Sequence, residues 1–153
     1  MQHGVEGDCT RGSWCTPPTD SNLDFLFEVN VRTLLHTVRA VVPHMLERGS
    51  GKVVNAGAQA AAKGSASMGA CAASKSAVVR LTEAMSAELH NQGINVNCVL
   101  PTVLDTPQNR EAMPRANPDR WVAPADLADV IVFLASCSAR AVHGAAVPVA
   151  GLS

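Results

Sequence analysis

Two short β-branched runs, Gly51-Lys52-Val53-Val54-Asn55-Ala56-Gly57 and Ile94 to Leu100, are separated by a segment with the period of a helix, and this spacing most constrains the fold. So long a connection cannot be a hairpin. It returns the chain to begin a parallel strand by a right-handed crossover. The second run is apolar on both faces, as in a sheet covered on both sides, and Pro101 ends it.

The remaining periodic segments fit the same plan. A first helix is expected from about residue 22 to 47, with Ser21-Asn22-Leu23-Asp24 as a capping box and Phe25, Val29, Leu34, Val38 and Val41 along one face. Pro43 should bend or loosen its last turn, and Gly49 lies beyond its end. A second helix is expected from about 69 to 92, with Ala73, Ala77, Leu81, Met85 and Leu89 on one side and Gly93 as its stop. Residues 101 to 121 hold prolines at 101, 107, 114 and 118 and read as a rigid extended loop leaving the carboxyl end of a strand. Pro124-Ala125-Asp126 opens a third helix with Leu127, Val130, Ile131 and Leu134 as its stripe, and Ala145 to Val149 is a last strand. The order α, β, α, β, α, β predicts an α/β fold: a parallel sheet of about three strands flanked by long helices. Residues 1 to 22 show neither period and read as an irregular arm ahead of a domain over 23–153.

Composition removes several classes of function. At 153 residues the chain suits one domain, and 12 basic against 13 acidic residues leave no basic patch to follow a phosphate backbone, so no nucleic-acid partner is expected. Apolar runs such as Val38 to Val42 and Val130 to Ala135 are too short for a bilayer, and Met1 to Glu6 lack the regions of a signal peptide. No membrane partner and a cytoplasmic setting are the expectation. Five cysteines, at 9, 15, 71, 98 and 137, form no CxxC pair and are odd in number, so neither a disulfide framework nor a metal site is expected. Tyrosine is absent altogether, which removes any mechanism that uses a phenolic acid or base.

Several ordered pieces carry a family resemblance: Phe27-Glu28-Val29-Asn30 in the first helix, the strand Gly51-Lys52-Val53-Val54-Asn55, Ala72-Ala73-Ser74-Lys75 opening a helix, Pro101 with Thr106, and Pro124-Ala125-Asp126 leading to Phe133-Leu134-Ala135-Ser136. From Leu23 to Ser153 the chain resembles the C-terminal part of a classical short-chain dehydrogenase/reductase. The resemblance implies part of a Rossmann-like sheet, with NAD or NADP as cofactor and hydride exchange between a carbonyl and an alcohol. It implies a homo-oligomer built through the helices at 22–47 and 69–92. It also implies a catalytic set of serine, tyrosine and lysine with an asparagine behind them, of which Asn30 and Lys75 match.

Two departures define the expectation. Cys71 stands at the tyrosine position, four residues before Lys75, and Ala58 stands at the serine position. A thiol is too short to reach the oxygen a phenol would touch; Lys75 one turn on could favour a thiolate, or Cys71 is inert packing. The glycine-rich strand-to-helix turn that holds the dinucleotide in the family is missing, since no Gly-x-Gly-x-x-Gly occurs. Thr106 matches the family threonine that touches the nicotinamide carboxamide, or is simply a loop turn. Asn30 and Lys75 likewise read either as site residues or as a satisfied polar group and a lysine whose head reaches water. The expectation is a chain of reduced or absent activity, the missing acid alone costing about 10²–10⁴-fold in rate. The alternative is a non-catalytic oligomerisation or regulatory module.

Overall fold

The computed structural model describes residues 20–64 and 68–151. Helix α1 (Asp20–Phe27) runs through a π-helical turn (Glu28–Arg32) into α2 (Thr33–Arg48), so the first long helix is interrupted where an uninterrupted one was expected. The β-branched residues Val29, Val31 and Thr33 alternate there and crowd a regular helix. The turn is closed by the Thr33 N–H reaching the Glu28 carbonyl, with the Thr33 hydroxyl donating to the same oxygen at 3.2 Å. Ser21 lies inside α1 rather than ahead of it, and α2 continues past Pro43 to Arg48. The arm assigned to residues 1 to 22 lies outside the described residues as far as residue 19, and residues 20 to 22 are already helical.

Gly49 adopts φ 63° at the end of α2, where its N–H and that of Ser50 take up the Leu46 and Met45 carbonyls at 3.1 Å each. Strand β1 (Gly51–Ala56) follows, then α3 (Gly69–Leu89) and a 3₁₀ turn over His90–Gln92. Gly93 at φ 77° turns the chain into β2 (Ile94–Pro101). The last elements are α5 (Pro124–Ala135) and β3 (Ala146–Val149). Before them, α4 (Pro107–Ala112) and a 3₁₀ turn over Pro118–Arg120 interrupt the segment expected to be an extended loop. Thr106 supplies the cap that proline counting overlooks: its Oγ1 accepts the Asn109 N–H at 3.2 Å, and Pro107 fits the first turn, where no N–H is needed. The guanidinium of Arg110 then grips both Asp105 oxygens at 2.6 and 2.8 Å.

The sheet order is β1-β2-β3, with both pairs parallel. β2 is the middle strand and is buried along almost its whole length. Its Ile94, Val96, Cys98 and Leu100 pack with Val42 and Met45 of α2 and with Val78, Val79, Met85 and Leu89 of α3. Its Val99 joins Val122, Leu134 and Val149 on the opposite face, beneath Leu127, Val130 and Ile131 of α5. Fully burying side chains of this size stabilises the fold by about 1.5–3 kcal/mol each.

Two polar residues share the α5 face of β2, and both are buried. Asn97 donates to the Val142 carbonyl at 2.9 Å and accepts the Ala145 N–H at 3.0 Å. Asn95 donates to Val142 and Arg140 carbonyls at 3.0 and 3.1 Å. Together they fasten the loop that leads into β3. Replacing Asn97 with alanine should leave the half-buried Ala145 N–H unpaired, the Val142 carbonyl keeping its bond from Asn95, and lower stability by about 1–3 kcal/mol. The check is a urea melt: a reduced midpoint with an unchanged slope is expected, and an unchanged midpoint would contradict the role.

Candidate functional site

The π-helical turn carries Asn30 toward α3. Its Nδ2 donates to Ser74 Oγ at 3.0 Å, and Ser74 Oγ donates in turn to the Cys71 carbonyl at 3.0 Å. Ser74 is fully buried, so this pair fixes the first turn of α3 against the helix that precedes the sheet. One residue further on, the Lys75 ammonium donates to the Ala56 carbonyl at the end of β1, at 3.0 Å. Asn55, next to Ala56, donates from Nδ2 to Thr82 Oγ1 at 2.8 Å. Asn30, Asn55, Ala56 and Lys75 line one cleft of about 450 Å³ between α2 and β1.

Lys75 is half-buried, with its ammonium on the Ala56 carbonyl at an exposed position. Partial burial pushes its pKa below the usual 10.5, while the neighbouring Cys98 thiol acts in the opposite direction. Burial in turn raises the pKa of Cys98, against hydrogen bonds from Gly57 and Thr82 and the charge of Lys75. The folded chain thus gives up the Lys75 proton more readily than the unfolded chain. Between the lowered folded value and 10.5 the unfolded state binds more protons, and stability rises with pH across that window.

The other residues singled out by the sequence fall elsewhere. Cys71 is buried and disulfide-bonded, its partner lying outside the described residues. A single bond at Cys71 is not a disulfide framework, and in this state its sulfur is not a free thiol. Cys98 and Cys137 are free, the first buried and the second exposed. Ala58 has extended backbone just after β1 and brings no polar atom. Thr106 is the cap of α4, and neither it, Ala58 nor Cys71 lines the cleft. Among the described residues no group of three or more His, Cys, Asp and Glu could hold a metal, and no helix is long and apolar enough to cross a membrane. Ser74 and Asn55 were missed by sequence reasoning. No local spacing links Ser74 to Asn30, forty-four positions away, or Asn55 to Thr82.

Helices on both faces of an all-parallel sheet, with polar groups gathered where strands end, define an α/β protein of the dinucleotide-fold type. The model of the short chain dehydrogenase family matches residues 15–117, and the chain belongs to that family. It is 32% identical over 167 residues to Dehydrogenase/reductase SDR family member 6 of Danio rerio, a match over 99% of this chain and 64% of the relative. It is 37% identical over 140 residues to Inactive 2-(S)-hydroxypropyl-CoM dehydrogenase 2 of Xanthobacter autotrophicus, over 82% of this chain and 61% of the relative. A gluconate 5-dehydrogenase from Burkholderia cenocepacia, crystallised with NADP and tartrate, superposes with a TM-score of 0.80 at 28% identity, over 86% of this chain and 56% of that one. The chain thus spans about three fifths of the length of the curated relatives it matches.

A dinucleotide needs a phosphate cradle and a ribose-nicotinamide contact, and the described residues do not fit the whole group. No glycine-rich strand-to-helix turn occurs among the described residues, whereas the Lys75 ammonium, with one of its three N–H groups on the Ala56 carbonyl, keeps donors for a ribose. Reductive ¹³C-methylation followed by NMR titration tests the Lys75 environment. Its methyl resonance, assigned with a Lys75→Arg variant, should titrate with a midpoint below 10.5. A midpoint at or above that value would contradict the burial described here.

Proposed function

We propose that this chain carries the oligomer-forming, lysine-bearing part of a short-chain dehydrogenase/reductase and has little or no hydride-transfer activity by itself. The observation that carries this reading is the composition of the cleft. Asn30 and Lys75 meet there, while the positions that hold serine and tyrosine in the family are Ala58 and a disulfide-bonded Cys71. Lys75 can hold a proton or give one up, but no hydroxyl stands between it and a substrate oxygen. In the family reading Lys75 and Thr106 are the cofactor contacts, toward NAD or NADP. The resemblance of one relative named as inactive agrees with it.

The half-exposed first helix supports the oligomeric part of the proposal. None of the residues of α2 is fully buried, and Leu23, Phe25, Val29 and Leu46 are exposed apolar side chains along α1, the π turn and α2. With the helices at 22–47 and 69–92 as the contact, a second copy would cover part of this surface.

Fluorescence titration with NADH and NADPH, run beside light scattering on a sizing column, tests both parts. No saturable binding at micromolar cofactor and a mass above the 15.9 kDa of one chain are expected. Micromolar binding, or reduction of a ketone by the purified chain, would overturn the catalytic part, and a clean monomer would overturn the assembly part. A Cys71→Tyr, Ala58→Ser double variant should remain inactive, because the proton-handling pair cannot act without bound nucleotide.

A further inference from the structure

His90 follows the last turn of α3 and His143 lies in the loop that leads into β3, so both stand at the end of the sheet opposite Lys75. Both side chains are exposed, and their ring centroids are 5.9 Å apart with the planes inclined by 66°. The scaffold beneath them is fixed. The Gly144 N–H donates to the Val96 carbonyl at 2.9 Å, and Asn95 and Asn97 of β2 hold the Val142 carbonyl at 3.0 and 2.9 Å. Gly144 abuts α3 so closely that a Cβ there would lie 3.3 Å from Ser86 Oγ.

Each imidazole keeps a lone pair for a ligand. His90 Nδ1 lies 3.1 Å from the Ser86 carbonyl and 3.2 Å from that of Ala87. A carbonyl can only accept, so Nδ1 carries the hydrogen and the neutral ring has its lone pair on Nε2. A metal-bound histidine is ordinarily held in this way, with its other N–H donated to a main-chain carbonyl. Asn95 Nδ2 lies 3.4 Å from both ring nitrogens of His143, but its two hydrogens are directed to the Val142 and Arg140 carbonyls at 3.0 and 3.1 Å. The amide supports the ring without claiming its lone pair. We propose that His90 and His143 together bind one divalent ion of the nickel, copper and zinc group, with water completing its coordination, and so clasp the end of α3 to the loop before β3.

Three features select that ligand. A tetrahedral ion held at about 2.0–2.1 Å by two imidazole nitrogens places the ring centroids about 5 Å apart, within about 1 Å of the distance found here. Rotation about the Cβ–Cγ bond of an exposed histidine, a torsion with broad wells, supplies the difference. Among the described residues no acid or thiol joins the pair, and two imidazoles without a carboxylate suit these ions and not magnesium or calcium, which take oxygen ligands. The last carbonyls of α3 also put the negative end of a long helix beside His90, which favours a cation, while the opposing charge of Lys52 is drawn to Asn95 Oδ1 at 2.5 Å. Neither histidine lines the cleft of Lys75, so the site stands apart from hydride transfer.

Titration of the full chain with the chlorides of copper(II), nickel(II) and zinc(II), followed by calorimetry and amide NMR, tests the site. One ion per chain is expected, copper bound most tightly, with no uptake of magnesium or calcium. Substoichiometric copper should broaden first the amides of residues 86–92 and 139–145. His90→Ala and His143→Ala should each weaken nickel binding at least about tenfold, since one imidazole then binds without the other, whereas His44→Ala on α2 should change nothing. Nickel should raise the urea midpoint of the wild-type chain and not that of His143→Ala, because the ion joins the two segments only when they are folded. No uptake of any of the three ions at millimolar concentration, broadening centred on Cys137 or on α2, or undiminished affinity in either alanine variant would each overturn the proposal. So would an equal loss in His44→Ala, the sign of an adventitious ion only.

Discussion

The whole arrangement rests on burial of β2 from both sides. Alternate residues of this strand serve different neighbours: Ile94, Val96, Cys98 and Leu100 face α2 and α3, whereas Asn95, Asn97 and Val99 face α5 and the loop before β3. Among the described residues β1 and β3 each pair with β2 and with no other strand. A strand that is central in this sense has no solvent face, so its polar side chains survive only by satisfying main-chain groups nearby. Asn95 and Asn97 do that for the 139–145 loop, and among the described residues no buried side-chain nitrogen or oxygen lacks a partner.

The elements bounded by glycine or proline were legible before any coordinates. Gly49 and Gly93 take the left-handed turns that end the two long helices, and Pro124 opens α5, so local sequence states these limits directly. That the three strands run parallel also followed from the length of the connections between them. The π turn was not legible, because its apolar spacing mimics an ordinary helix and only a one-residue offset at Glu28–Arg32 distinguishes it. α4 was hidden by counting prolines without asking which of them follows a cap, as Pro107 follows Thr106. The Cys71 disulfide was lost to parity: an odd total says nothing against one pair.

The site was legible in its members and not in their connections. Asn30 and Lys75 were both picked out, and they line the same cleft. What the sequence concealed is that each is already engaged, Asn30 by Ser74 and Lys75 by the Ala56 carbonyl. These contacts join segments far apart in the chain, beyond the reach of any local pattern. They also change the meaning of the lysine. It joins the first turns of α3 to the end of β1, beside the cleft that Asn30 also lines.

Amide hydrogen exchange in the sheet, read residue by residue by NMR, tests the pairing of both outer strands with β2 most directly. The amides of Val53 and Asn55, directed to β2, and those of Ile94 to Leu100 within it should be among the most slowly exchanging in the chain. Rapid exchange of Val53 and Asn55 would mean that β1 is not paired with β2 as described, and rapid exchange along β2 would contradict its burial from both sides.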